Sequence, residues 1–217
     1  MIVTIDGPAG SGKSTVARLL AEKLDVRYLD TGAMYRAVAL AIVRAKIDEK
    51  DAAAVAEKAR QLSITFDDDE LLLDGEPVSG AIRCPEVTAI ASIVAANPDV
   101  RAVLVELQRA VGKSGSLVTE GRDQGTVVFP HADHKFFVTA SVDARARRRH
   151  GEMVSKGSTL TLETVTTQLR QRDTRDENRV HAPMKPARDA TIVDTSEMSI
   201  AQVVDTLARR VRGKAAK

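Results

Sequence analysis

The chain has 217 residues, with 32 basic side chains against 30 acidic ones and a single cysteine. That length allows one substantial core with insertions and excludes two large independent domains, while the balanced charge gives no sign of a nucleic-acid or membrane partner. One cysteine excludes an internal disulfide framework, and neither a signal peptide nor an 18-residue apolar run is visible. We therefore expect a cytoplasmic protein, monomeric, whose ligands are bound at local sites.

The first part of the chain alternates between strand and helix patterns. IVTID (2–6) is a short β-branched run stopped by Gly7-Pro8, as in a buried parallel strand. Apolar residues recur at helical spacing from Ser14 to Leu24. VRYLD (26–30) predicts a second strand, and a second helical pattern starts at Ala33.

The middle of the chain has a different character. ITFDDDELLLDGEPV (64–78) contains two β-like runs, an acidic turn and an Asp74-Gly75 hairpin signal. Pro85 and Pro98 open two further helical stretches, since proline is favoured at a first helical position. The pattern predicts a β hairpin inserted between helical segments.

The last part returns to alternating strands and helices. SLVTEG (116–121), VVFP (127–130), KFFVTA (135–140) and ATIVDTS (190–196) have strand composition, and a final helix is predicted over Ile200 to Arg212. Strands that alternate with helices predict an α/β fold, with a parallel sheet of the P-loop NTPase type flanked by helices.

GPAGSGKST (7–15) matches the phosphate-binding loop G-x-x-x-x-G-K-[ST] between a predicted strand and a predicted helix. Its glycines let successive backbone N–H groups point at phosphate oxygens, and the helix that follows adds its positive end. We expect Lys13 to reach the β and γ phosphates and the Ser14 hydroxyl to ligate Mg²⁺. The predicted ATP-binding residues of this loop are Gly7, Pro8, Ala9, Gly10, Ser11, Gly12, Lys13, Ser14 and Thr15.

The remaining P-loop classes are separated by what else the sequence contains. A regulatory GTPase would have an N-K-x-D motif that recognises guanine, and this motif does not occur in the sequence. The long apolar strand ending in Asp that many P-loop ATPases use for the metal is also missing, and LVTEG with Glu120 is the nearest candidate. Both observations favour a small-molecule kinase.

Two further motifs predict an acceptor site. In YLDTGAMYRA (28–37), Asp30 and Thr31 can cap a helix from which Arg36 projects toward a phosphate, although a plain cap beside a solvated arginine would look the same. In EGRDQGTVVFP (120–130), Arg122 and Asp123 follow an apolar strand, where open α/β sheets bind their ligands, or else form an ion-paired turn.

Residues 143–181 carry an excess of basic charge. At helical spacing, one stripe would hold Arg172, Arg175, Asp176 and Arg179. The opposite side would hold Arg170, Asp173 and Glu177 as self-neutralising surface pairs. Arginines gathered on one stripe repel one another unless a polyanion joins them, so we expect an arginine-rich lid that stabilises phosphoryl transfer.

The motifs together resemble those of the bacterial cytidylate kinases, in the same order and over essentially the whole chain. They are IDGPAGSGKST, YLDTGAMYRA, VSGAIRCPEV, VLVELQRA, GRDQGTVVFP, RARRR, QRDTRDENR and VDTS. The pair DTGAMYR and GRDxGTVVFP is much more specific than the P-loop. Gln124 departs from the family, which usually has an aliphatic residue there.

The resemblance implies an organisation and a set of site residues. It implies a P-loop core (1–30, 116–142 and 182–217), a CMP-binding region with the inserted hairpin (31–115) and the lid (143–181). The implied CMP-binding residues are Thr31, Arg36, Ser92, Arg109, Arg122, Asp123, Arg172, Asp176 and Arg179. The implied catalytic residues are Lys13, Arg172, Arg175 and Arg179, with Arg175 the candidate for the transferring phosphoryl group. Arg148 or Arg149 would stack on the donor adenine.

The activity that the resemblance implies is Mg²⁺-dependent transfer of the γ-phosphoryl group of ATP to CMP or dCMP. A kinase for another small acceptor, such as UMP or shikimate, remains the alternative within the enzymes. A nucleotide-dependent switch or a nucleic-acid-binding regulator would need a basic partner-facing surface, which the near-neutral charge and the scarcity of aromatic residues disfavour.

Overall fold

The computed structural model describes residues 1–67, 70–155 and 157–214. The chain forms two compact units. The first joins Met1–Tyr28 to Ser116–Lys217, and the second is Leu29–Gly115.

A five-stranded sheet organises the first unit, in the order β2-β6-β1-β7-β8. The strands are β1 (Ile2–Asp6), β2 (Arg27–Asp30), β6 (Leu117–Gly121), β7 (His134–Thr139) and β8 (Thr191–Asp194). β1 runs parallel to both β6 and β7, and β7 runs parallel to β8. Because parallel strands all end at one edge, the segments that follow β1 and β6 emerge side by side.

Four helices accompany this sheet: α1 (Lys13–Leu24), α6 (Val142–Val154), α7 (Leu162–Glu177) and α8 (Ile200–Lys214). α1 and α8 cover part of the sheet, and their apolar faces meet it in a hydrophobic core. The core consists of Val3, Ile5, Val16, Ala17, Leu20, Ala21, Val118, Phe136, Val138, Val193, Val203, Val204, Leu207, Ala208 and Val211. These buried side chains fix β1 and the start of α1, and hence the loop between them.

The second unit combines helices with a small antiparallel sheet. Its helices are α2 (Thr31–Arg44), α3 (Ala52–Gln61), α4 (Pro85–Val94) and α5 (Pro98–Lys113). Its strands are β3 (Ile64–Asp67), β4 (Glu70–Leu73) and β5 (Glu76–Pro77). The Asp30 carboxylate caps α2 by accepting from the Ala33 N–H at 2.8 Å. The prolines at the starts of α4 and α5 confirm the sequence prediction for both helices.

The structure corrects two predicted elements. The inserted hairpin has a third short strand, β5, after the Asp74-Gly75 turn; of the predicted acidic turn, Asp68 and Asp69 lie outside the described residues. VVFP is not a strand, because residues Gln124–Val128 form one π-helical turn. The reason is visible in its hydrogen bonds, since the Phe129 N–H donates to the Gln124 carbonyl at 2.7 Å.

No single helix among the described residues is long and apolar enough to cross a membrane. α4 and α5 meet the length and composition criteria only together, as a pair bent by 98°.

Candidate active site

The loop between β1 and α1 has the backbone of a phosphate cradle. Gly7, Gly10 and Gly12 have φ angles of +150°, +76° and +84°. A Cβ on Gly7 would lie 2.0 Å from the carbonyl oxygen of Val138, so only glycine fits there. The loop thus turns tightly into the N-terminus of α1, whose unsatisfied N–H groups attract anions.

Lys13 is held over this loop rather than extended into solvent. Its ammonium donates to the Pro8 carbonyl at 3.3 Å and lies 3.8 Å from a Glu120 carboxylate oxygen. Burial, helped by the neighbouring Arg122 and Arg172, lowers the pKa of Lys13 to about 8 against the opposing effect of Glu120. A bound phosphate would supply the negative charge that this buried ammonium needs.

Glu120, at the end of β6, also accepts a hydrogen bond from the Ser14 hydroxyl at 2.8 Å. Glu120 is buried, whereas Ser14 is exposed at the start of α1. The pair presents one hydroxyl and one carboxylate, which are oxygen donors of the kind that Mg²⁺ takes alongside substrate phosphates. Among the described residues no group of three or more His, Cys, Asp or Glu side chains is placed to hold a metal by itself.

Arg122 forms a partly buried ion pair with Asp176 of α7. Its Nε donates to Asp176 Oδ2 at 2.7 Å. Although burial opposes it, the neighbouring Arg122, Arg172 and Arg179 hold the pKa of Asp176 below its usual value. Asp176 correspondingly raises the pKa of Arg122 against the effect of burial.

These interactions define the cationic cluster of the first unit. It comprises Lys13, Glu120, Arg122, Arg172, Asp176 and Arg179. Four basic groups share two carboxylates, so the cluster has an excess of positive charge at the edge of the phosphate cradle. Such an arrangement suits a polyanionic ligand.

Asp6 fixes the segment that carries Arg122 and Asp123. The Asp6 carboxylate, 3% exposed, accepts the backbone N–H groups of Gln124 and Gly125, both at 2.8 Å. Burial raises the pKa of Asp6 to about 7 despite these two hydrogen bonds. Gln124, which departs from the family pattern, is buried, and its side-chain oxygen accepts from the Thr119 hydroxyl at 3.0 Å. Neither interaction is predicted by a sequence pattern.

α7 turns most of the predicted stripe toward the protein interior, but not all of it. Its buried residues are Val165, Leu169, Asp173 and Asp176. Arg172 and Arg179 are half-buried beside this face, as expected for the predicted stripe. Arg175 is exposed, and its Nε donates to the Gln171 carbonyl at 3.3 Å. Of the four residues of the stripe, Arg175 therefore lies farthest from the buried face, about 100° around the helix axis from Asp176.

The prediction that Asp173 is a surface residue was wrong. It is 7% exposed and pairs with Arg145 of α6 at 2.5 Å. Arg148, the candidate for the donor base, is half-buried, and its Nη1 donates to the Thr195 hydroxyl at 3.2 Å after β8. This contact fixes one end of a planar guanidinium group that can stack on an aromatic base.

In the second unit, Thr31 is buried at the first position of α2 and Arg36 pairs with Asp30 at 3.0 Å. Ser92 is half-buried on α4 and donates to the Ala89 carbonyl at 3.5 Å. Asp30 therefore caps α2 and holds Arg36 in place.

Arg109 does not lie on the buried side of α5. Its side chain is 44% exposed and lies 4.0 Å from Glu106. Arg101, which we did not select, is 5% exposed, and its guanidinium lies 5.7 Å from the centre of the Tyr35 ring. The signal was available in the sequence, since Arg101 follows Val100 and precedes Leu104 on the apolar face of α5.

The chain is similar to known proteins over nearly its whole length. A family model described as cytidylate kinase matches residues 3–213. The cytidylate kinase of Mycobacterium leprae (strain Br4923) is 50% identical over 205 residues, which cover 94% of this chain and 92% of the relative. The cytidylate kinase of Geobacter sp. (strain M21) is 45% identical over 221 residues, covering 100% and 95%.

Among solved structures, shikimate kinase from Bacteroides thetaiotaomicron superposes with a TM-score of 0.50 at 12% identity, covering 98% of each chain. At that identity the likeness concerns the fold alone. It agrees with the parallel sheet flanked by helices that the alternating pattern predicted. The family model and the two relatives span nearly all of the sequence, and the chain belongs to the cytidylate kinase family.

Proposed function

We propose that this protein transfers the γ-phosphoryl group of ATP to CMP or dCMP, giving ADP and CDP or dCDP. The observation that carries the proposal is the cationic cluster, whose four basic groups and two carboxylates lie beside the phosphate cradle. Two phosphate-bearing ligands brought together at such a cluster would balance its charge. Membership of the cytidylate kinase family identifies the acceptor.

ATP would bind with its β and γ phosphates on the backbone N–H groups of residues 7–15 and on Lys13. The Ser11 hydroxyl supports this placement, because it is buried without a hydrogen-bond partner among the described residues. A phosphate oxygen would satisfy it. Arg148 is the proposed partner of the adenine ring.

Mg²⁺ would be held by the Ser14 hydroxyl and the ATP phosphates, with Glu120 orienting that hydroxyl. When bound, the ion neutralises negative charge on the β and γ phosphates.

The acceptor would be bound by residues that match the family motifs. Arg36, Arg122 and Arg179 are proposed for the CMP phosphate, and Asp176 for a ribose hydroxyl. The buried Asp123 would accept a hydrogen bond from the exocyclic amine of cytosine. Uracil has a carbonyl at that position, which would leave two acceptors facing each other, and sites that read a polar group in this way discriminate strongly.

The remaining residues proposed for the acceptor lie in the second unit. Thr31 is proposed for the CMP phosphate and Ser92 for the cytosine ring, as the resemblance implies. We propose Arg101 in place of Arg109 as the α5 arginine for the cytosine ring, because Arg101 is buried and lies over the Tyr35 ring, whereas Arg109 is exposed beside Glu106.

An oxygen of the CMP phosphate would attack the γ-phosphorus in line, and the bond from that phosphorus to the β–γ bridging oxygen would break to release ADP. Lys13 and Arg172 would stabilise the charge on the transferring group. Arg172 is preferred to Arg175, since Arg172 acts electrostatically on Lys13 and Arg175 is exposed. No protein nucleophile takes part.

The test is ADP release from ATP and Mg²⁺ with CMP, dCMP, UMP, AMP or no acceptor. We expect release to depend on CMP or dCMP. Equal release without an acceptor would show an ATPase instead of a kinase. Faster turnover of UMP than of CMP would refute the base assignment.

A further inference from the structure

A buried ion pair joins the lid helices to the phosphate cradle. Arg145 on α6 is 4% exposed, and its Nη1 lies 2.5 Å from Asp173 Oδ2 on α7. The same Nη1 donates to the Ala9 carbonyl at 3.0 Å, and Nε donates to the Ala140 carbonyl at 2.9 Å. One guanidinium therefore connects the P-loop, the end of β7 and α7.

Apolar residues of the same segments also pack together. Ala9, Ala146, Val165 and Leu169 form a separate small core, so that the P-loop, α6 and α7 pack against one another. Apolar packing is non-directional and by itself tolerates small rotations of α7. Hydrogen bonds from a planar guanidinium are directional, and they fix the rotation and the axial position of the helix.

The position of α7 matters because of its neighbouring residues. Arg172 precedes Asp173 directly, and Asp176 and Arg179 follow within two turns. Sliding α7 by one residue would move these side chains by about 1.5 Å relative to Lys13. A misplacement of about 1 Å can lower the rate of a reaction roughly 10²-fold.

Stability alone is a poor explanation for such a pair. Removing two charges from water is costly, and well-packed apolar residues in place of a buried ion pair are often as stabilising. Arg145 moreover uses its donors on the backbone of the very loop that is proposed to hold ATP.

We propose that Arg145 and Asp173 are positioning residues for phosphoryl transfer, whose ion pair sets Arg172 and Arg179 against the P-loop. Neither residue is assigned a contact with a substrate. The proposal rests on the proposed function, because it concerns the rate of that reaction.

The two partners differ in what they hold, which gives the test its design. Asp173→Asn weakens the interaction of Arg145 with α7 but leaves the hydrogen bond from Arg145 to the Ala9 carbonyl. We therefore expect kcat to fall about 10- to 100-fold, while KM for ATP stays within about threefold of the wild-type value. Arg145→Lys removes the guanidinium group that donates both to the P-loop and to Asp173, so KM for ATP is also expected to rise. The double variant should be no slower than Arg145→Lys, because both changes break one interaction.

Asp205→Asn is the matched control. It makes the same chemical change in an exposed ion pair with Lys23 and is expected to leave both constants unchanged. Circular dichroism establishes that each variant is folded at the assay temperature. If Asp173→Asn is unfolded, Asp173→Glu takes its place, since it keeps the charge but moves the carboxylate, and a lowered kcat is again expected.

The outcomes separate this proposal from the function on which it rests. Wild-type protein without CMP-dependent ADP release would overturn both. Active wild type together with a folded Asp173 variant whose kcat is within twofold of it would overturn the positioning role alone. An additive loss in the double variant would also contradict it.

Discussion

Replacing Gly7 by alanine should damage the fold more than the same change at either of the other P-loop glycines. The added Cβ would lie 2.0 Å from the Val138 carbonyl oxygen and 3.1 Å from its carbon. Both Val138 and the residue before Gly7 belong to the central sheet, in β7 and β1. The clash is therefore with a backbone that cannot rotate away, and the two strands would have to separate by about 1 Å to restore ordinary contact.

The magnitude follows from what such a separation breaks. Weakening two or three backbone hydrogen bonds at about 1 kcal/mol each, together with a positive φ that costs roughly 1–2 kcal/mol, gives on the order of 4 kcal/mol. For a chain of this size, 1 kcal/mol lowers the melting temperature by about 2–4 °C, so Gly7→Ala should lower it by about 8–16 °C.

Gly10→Ala and Gly12→Ala are the internal comparison. Their Cβ atoms would meet side-chain atoms at 3.3 and 3.4 Å, so mainly the φ strain remains. That strain of roughly 1–2 kcal/mol corresponds to a drop of about 2–8 °C. Thermal unfolding followed by circular dichroism measures all three variants. A Gly7→Ala melting temperature within about 3 °C of wild type, or a larger loss at Gly12, would refute the reasoning.

Three further predictions concern charge. Burial raises the pKa of Asp6 from 3.8 to about 7. Between these pH values the folded protein keeps a proton on Asp6 that the unfolded chain has lost. The free energy of unfolding should therefore fall as the pH rises from 3.8 to about 7, by up to about 1.4 kcal/mol per pH unit. Asp6→Asn should remove that fall in urea titrations, and parallel pH profiles for the two proteins would contradict it. The pKa of Lys13, about 8, should appear in ¹⁵N NMR of the ligand-free protein and decrease further in Glu120→Gln, which removes the charge that raises it; titration with the ordinary lysines near 10.5 would show that the site is not as described. Arg172→Ala should lower kcat roughly 10²-fold and Arg175→Ala less than about threefold, and equal losses in steady-state assays would restore Arg175 as the candidate.

The sequence predicted the P-loop because this motif is contiguous and its conformation is dictated by glycine and by the helix that follows. It predicted parallel-sheet architecture because the strands are short apolar runs separated by helical patterns. Both inferences need only neighbouring residues.

The errors share a physical cause. Helical spacing shows which residues share a face, but not which face packs inward, so the sequence could not show that Arg175 is exposed and that Asp173 is buried. Asp173 is buried because Arg145 lies opposite it, 28 positions earlier in the chain. The π turn at VVFP begins where the backbone N–H of Gln124 donates a hydrogen bond to Asp6, a residue 118 positions away in the chain. Such partners meet only in the folded chain.

The fate of labelled phosphate tests the central claim most directly. ATP carrying the label at its γ position is incubated with Mg²⁺ and CMP, and the products are separated by chromatography. Transfer to the acceptor predicts that the label appears in CDP in equal amount to the ADP formed, with little inorganic phosphate. Label released chiefly as inorganic phosphate, with CMP unchanged, would contradict the account.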